Sequence, residues 1–83
     1  MKTTRYFDEQ VTRKRPYIDV DLCRAVTASP LRSERQEDGR IRFWGRIRLS
    51  GEATDRILRV VTLEDGETIH NAFLDRSYRE DKP

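Results

Sequence analysis

The sequence predicts an α+β domain in which two N-terminal helices pack on one face of a four-stranded antiparallel sheet. Three observations carry this. Up to residue 30 the apolar residues recur at helical spacing, and prolines stand at 16 and 30. From Leu31 onward the apolar residues alternate instead, as they do in half-buried strands. Two Asp-Gly pairs, Asp38-Gly39 and Asp65-Gly66, sit between alternating runs and mark hairpin turns.

The first helix is expected over residues 4–15. Phe7 and Val11 share a face, Asp8 and Glu9 lie near its start and Arg13, Lys14 and Arg15 near its end, which complements the helix dipole. The basic run is read as a solvated helix end that also suits a backbone phosphate. Asp19 is an N-cap for the second helix, with Ile18 placed to pack on Cys23 and with Ile18, Leu22 and Val26 as the buried stripe. Ser29-Pro30 ends it.

Four strands follow, about Leu31 to Gln36, Arg40 to Leu49, Ile57 to Leu63 and Glu67 to Leu74, with a polar loop from Ser50 to Arg56 between the middle pair. The second strand, RIRFWGRIRL, is the distinctive one. Alternation puts Ile41, Phe43, Ile47 and Leu49 on the core side and Arg40, Arg42, Trp44, Arg46 and Arg48 on the other. If Asp65-Gly66 closes a two-residue hairpin, Val61 pairs with His70 and Arg59 with Ala72. Leu58, Val60, Ile69, Asn71 and Phe73 then face the core, and Arg59 and His70 join the arginines on the open face. Residues 75–83 are polar enough for a loose tail, although Asp75, Arg76 and Tyr78 are near enough in sequence to fold back on that face.

Composition narrows the possibilities. The 83 residues make one domain, 35% hydrophobic and 39% charged, with a thin core. Net charge is only +2, but Arg40 to Arg48 holds four cations and no acid, and arginine's planar fork suits phosphate. One cysteine permits neither an internal disulfide nor a cysteine metal cluster, and Cys23 reads as a small core residue. No cofactor site is expected. No apolar run is long enough to span a membrane and none marks a secretory signal, so the expectation is a cytoplasmic protein.

His70, the only histidine, is the side chain whose ordinary titration lies near neutral pH. Beside arginines it suits proton transfer to or from a ribose hydroxyl or a leaving oxygen, while guanidinium groups hold the phosphate. The plainer alternative is a half-buried histidine satisfied by a hydrogen bond. Trp44 is expected to stack on a base.

The order helix, helix, four antiparallel strands with an arginine-lined face resembles the RelE/ParE-type toxins of bacterial toxin–antitoxin systems. The phrases RPYID, DGRIRFWG and LRVVTLEDGETIHNAF are similar to those of small toxin-like bacterial proteins near that superfamily. The resemblance implies a RelE-like fold, a metal-independent endoribonuclease acting through the ribose 2′-hydroxyl, and neutralisation by a small antitoxin encoded nearby. It implies phosphate-holding roles for Arg40, Arg42 and Arg59 and a catalytic role for His70 or Tyr78; the reading of the open face itself adds nucleic-acid contacts from Trp44, Arg46 and Arg76. Such toxins usually begin with a strand, whereas this chain shows no N-terminal strand and no clear closing helix. Two alternatives stand beside the nuclease: a ParE-like, non-catalytic module that binds nucleic acid or an acidic protein, and a structural subunit whose arginines pair with its own acids.

Overall fold

A computed structural model describes residues 2–78, and it shows an α+β fold with a four-stranded antiparallel sheet and two helices. Helix α1 is a π-helical turn over Phe7–Val11 that runs on as α-helix over Thr12–Lys14, and α2 spans Val20–Ala28. The strands are β1 (Arg32–Arg35), β2 (Ile41–Ile47), β3 (Arg56–Thr62) and β4 (Ile69–Leu74), in the order β1-β2-β3-β4. Among the described residues no helix is long and apolar enough to cross a membrane.

The helices form where capping and burial agree. Thr4 starts α1: its Oγ1 accepts from the Phe7 N–H at 3.1 Å and its carbonyl from the Asp8 N–H at 3.1 Å. Asp19 caps α2 by accepting from the Leu22 N–H at 2.8 Å, as the sequence predicts. Phe7, Val11, Ile18, Cys23 and Val26 carry the helical side of the core, against Ile47, Leu58, Val60, Ile69 and Ala72 from the sheet. Leu22 is only partly buried and packs at the margin of this cluster.

Gly45 explains how closely α2 approaches the sheet. A Cβ there would lie 2.8 Å from Cγ2 and 2.9 Å from Cγ1 of Val26, so the absent side chain is what admits the helix. Both hairpin glycines take positive φ, +91° at Gly39 and +71° at Gly66, a backbone region that favours glycine. Gln36 N–H donates to Arg40 O and Gly39 N–H to Gln36 O, closing a three-residue loop. In the second hairpin, Leu63 N–H donates to Thr68 O while the Asp65 carboxylate collects the Glu67 and Thr68 amides.

The expected register of the last hairpin is corrected. Thr62 pairs with Ile69, as the turn dictates, but a bulge follows and Val61 pairs with Asn71, Val60 with Ala72 and Arg59 with Phe73. The reason lies in the core. Ile69 and Ala72 are both fully buried, yet they are three residues apart, and a regular strand cannot point positions of odd separation to one face. The extra residue at His70 resolves this. Phe73 and Asn71 consequently lie on the open face and not in the core, and Phe73 supports the Arg59 guanidinium 4.4 Å above its ring.

The chain before α1 is also extended. Lys2 O and Thr4 N bond to the two sides of Ile69, and Thr3 forms a parallel bridge with it, so β4 is flanked on its outer side by the N-terminal residues.

Candidate functional site

The open face of the sheet holds two distinct clusters. The first is a cleft of about 440 Å³ lined by Tyr6, Gln36, Arg40, Arg42, Arg59, Val61, His70, Asn71 and Phe73. The second is a plug around Trp44.

In the cleft, Arg42 stands opposite Val61 and Arg59 opposite Trp44, which makes Arg42 and Arg59 diagonal neighbours on one face. Their Nε atoms are both buried without a hydrogen-bond partner. Arg40, on the loop side, lies 4.0 Å from the Asp38 carboxylate, an exposed contact of little strength. The lining therefore offers three guanidinium groups and no carboxylate. A buried donor left unpaired costs on the order of 1–3 kcal/mol, and an anion in the cleft would recover that at Arg42, whereas the Arg59 Nε faces the Asp75 carboxylate 3.5 Å away.

His70 follows the core-facing Ile69 and so faces the cleft, and the bulge lets the next residue, Asn71, line it as well. Its Nδ1 lies 2.9 Å from Thr4 Oγ1, and its ring lies 5.0 Å from that of Tyr6 at a tilt of 30°. Burial, and then the charge of Arg40, hold the imidazole below its ordinary pKa. Asn71 turns its Oδ1 to the Ala72 N–H at 2.9 Å, which leaves its amide N–H groups for the cleft.

Trp44 is corrected from an open stacking surface to a covered one. It is 6% exposed, its ring is stacked on Tyr78 at 5.7 Å, and its indole N–H donates to Asp75 Oδ2 at 2.9 Å. Arg32, Arg42 and Arg59 surround the ring at 6.0, 6.0 and 5.8 Å. Asp75 in turn accepts from the Ser77 N–H and hydroxyl and lies 3.5 Å from Arg59 Nε. Burial raises the Asp75 pKa, but the bonds from Trp44 and Ser77, with the Arg59 charge, outweigh it and hold the carboxyl below its usual range.

Asp75 and Tyr78 thus pack on Trp44, so the expected loose tail does not begin at residue 75; residues 79–83 of it lie outside the described residues. Tyr78 belongs to the Trp44 plug and does not line the His70 cleft. Arg76 lines the cavities at the β2–β3 loop end, away from the cleft. Arg46, opposite Ile57, is exposed and likewise outside it. Arg48 pairs with Asp55 and Arg32 with Glu34, so part of the arginine content does serve the chain's own acids.

Sequence reasoning brought Arg40, Arg42, Arg59 and His70 together and missed Thr4, Tyr6, Gln36, Asn71 and Phe73. Thr4 carried a readable signal as an N-cap three residues before Phe7. Asn71 and Phe73 carried none, since their facing follows from the bulge. Among the described residues no three His, Cys, Asp or Glu side chains gather to hold a metal ion. Compared with models of known protein families, with curated proteins and with solved structures, the chain matches none.

Proposed function

We propose that this protein is a toxin-like RNA-cleaving domain of RelE-like type, a component of a bacterial toxin–antitoxin pair acting in the cytoplasm. The observation that carries the reading is the cleft in which the only histidine stands among three guanidinium groups with no carboxylate in the lining. Arg42 and Arg59 seat the scissile phosphate, and their fixed charges stabilise the negative charge that builds on its oxygens. His70, whose pKa a bound phosphate raises, gives the Nε2 proton of its charged ring to the leaving 5′ oxygen, while water takes the proton of the 2′-hydroxyl as that oxygen attacks phosphorus. Arg40 guides the adjoining phosphate. With Trp44 covered, the exposed ring of Tyr6 is the aromatic surface beside His70 on which a base stacks. The extended N-terminal residues along β4 are in keeping with a superfamily whose members usually begin with a strand.

The test is incubation of structured and single-stranded RNA with the protein in chelator, with product ends mapped. Cleavage giving 2′,3′-cyclic phosphate ends, abolished in His70→Ala, is the expected result. Intact RNA refutes the nuclease.

A second reading is favoured by one observation: Tyr78, the tyrosine that the resemblance makes a candidate proton carrier, is engaged on Trp44 and does not line the cleft. In that reading the same cleft binds an anion without chemistry, as a ParE-like module would, and the partner is a nucleic acid or an acidic antitoxin. Retention of RNA without cleavage, weakening steeply with salt, distinguishes it.

A further inference from the structure

We infer that Thr4 is the positioning residue of His70, holding the imidazole through Nδ1 so that Nε2 is the ring nitrogen that meets the substrate. The inference deepens the proposed RNA-cleaving function and rests on it for its catalytic meaning. Three contacts place the hydroxyl. Thr4 N–H bonds to Ile69 O at 2.9 Å, which ties Thr4 to the residue preceding His70. Thr4 Oγ1 then lies 2.9 Å from His70 Nδ1, and it also accepts from the Phe7 N–H at 3.1 Å as the cap of α1.

The direction of the bond follows from donor and acceptor counts. A threonine hydroxyl has one hydrogen and two lone pairs; here one lone pair accepts from Phe7, and among the described residues the hydrogen has no acceptor other than Nδ1. Donation of that hydrogen to Nδ1 satisfies both groups and puts the proton of the neutral ring on Nε2. When the ring takes a second proton, the hydroxyl turns to accept from Nδ1–H, which keeps the ring in place in both states. Nε2–H then adds a further donor to a cleft that already offers those of Arg40, Arg42, Arg59 and the Asn71 amide, a set suited to phosphate oxygens.

Because His70 is the only histidine, its ring nitrogens are assigned in a nitrogen-15 NMR spectrum without ambiguity. The test compares wild type, Thr4→Ser and Thr4→Gly, glycine being a cap that keeps most of the stability of α1 while removing the hydroxyl. The expected result is a wild-type and Thr4→Ser spectrum of an Nε2–H ring with a hydrogen-bonded Nδ1. In Thr4→Gly the Nδ1 signal moves to that of an unbonded nitrogen, and the pKa rises toward 6.5 as water reaches the ring. These readings need no RNA, so they stand whether or not the wild type cleaves, and a wild type that leaves RNA intact refutes the function alone. Where it cleaves, kcat falls about 10- to 100-fold in Thr4→Gly with KM little changed, the range seen for groups that orient a working histidine, and Thr4→Ser restores it. Ring signals and pKa unchanged in Thr4→Gly, or an unchanged kcat, overturn the inference.

Discussion

Tyr78 lies on Trp44, ring over ring at 5.7 Å, while the Trp44 indole N–H is bonded to Asp75 at 2.9 Å. The residues after the last strand therefore close over the sheet at the point where the sequence offers its largest aromatic. This divides the arginine-rich face into a sealed end, built around Trp44, and an open end, built around His70.

Trp44 is thus a stability residue. Trp44→Ala is expected to lower the unfolding free energy by about 3–5 kcal/mol, as loss of a buried large aromatic does. Asp75→Ala leaves the indole N–H unpaired and removes the carboxylate beside Arg59, at a cost of about 1–3 kcal/mol. Urea unfolding measures both; wild-type midpoints would show that the plug contributes nothing.

Arg42 separates binding from stability. Its Nε is buried with no hydrogen-bond partner, and no carboxylate of the described residues lies within ion-pair distance of it. Arg42→Gln removes a buried unpaired donor and a cation over the Trp44 ring, effects of opposite sign and similar size, so its stability is expected to stay within about 1 kcal/mol of wild type. Its affinity for single-stranded RNA should fall, and the slope of log affinity against log salt should shrink by about one phosphate contact. Fluorescence anisotropy over a salt series reads the outcome, and an unaltered slope would remove Arg42 from the interface.

The lowered pKa of His70 sets a pH dependence. The folded protein holds this proton less tightly than the unfolded chain, whose histidine titrates near 6.5. The unfolded state thus binds more protons as the pH drops, so stability is full above about 6.5 and declines as pH falls through the folded value. His70→Gln should flatten that part of the profile in urea melts taken across pH 5 to 8. Inorganic phosphate seated in the cleft should act oppositely and raise the His70 pKa, which the same nitrogen-15 titration reads.

Cys23 is fully buried and its thiol is pushed up to about 12, by burial first and then by the Asp19 charge. Thiol reagents at pH 8 should leave it unmodified in the folded protein and modify it in urea. Prompt labelling without denaturant would show that α2 opens readily.

Gly45→Ala should cost about 1–3 kcal/mol, since the new methyl meets the stiff, β-branched Val26 and forces α2 off the sheet. Shortening the facing side chain with Val26→Ala should recover part of that loss in the double variant, so the two changes couple favourably. Strict additivity in thermal melts would show that they do not touch.

Much of this fold was legible locally. Asp19 and the Ile18, Leu22 and Val26 stripe announced α2, although Cys23 and not Leu22 is the residue fully buried between Ile18 and Val26; the two Asp-Gly pairs announced the hairpins, and the alternation of β2 assigned its faces correctly from Ile41 to Ile47. These features act within a turn or two of chain, where capping, glycine geometry and side-chain period are sufficient causes. The gathering of Arg40, Arg42, Arg59 and His70 was legible for the same reason, by pairing strands outward from their turns.

What the chain could not announce depended on competition between distant parts. The bulge at His70 exists because Ile69 and Ala72 are both required beneath the helices, and only the shape of the core imposes that requirement. The sealing of Trp44 depends on residues 75–78 folding across strands more than thirty positions earlier, a choice that no local propensity records. The sequence by itself determined the elements, their order and the charge of the open face. The tertiary structure alone decided which aromatic stays reachable and which hydroxyl holds the histidine, because both follow from packing between segments far apart in the chain.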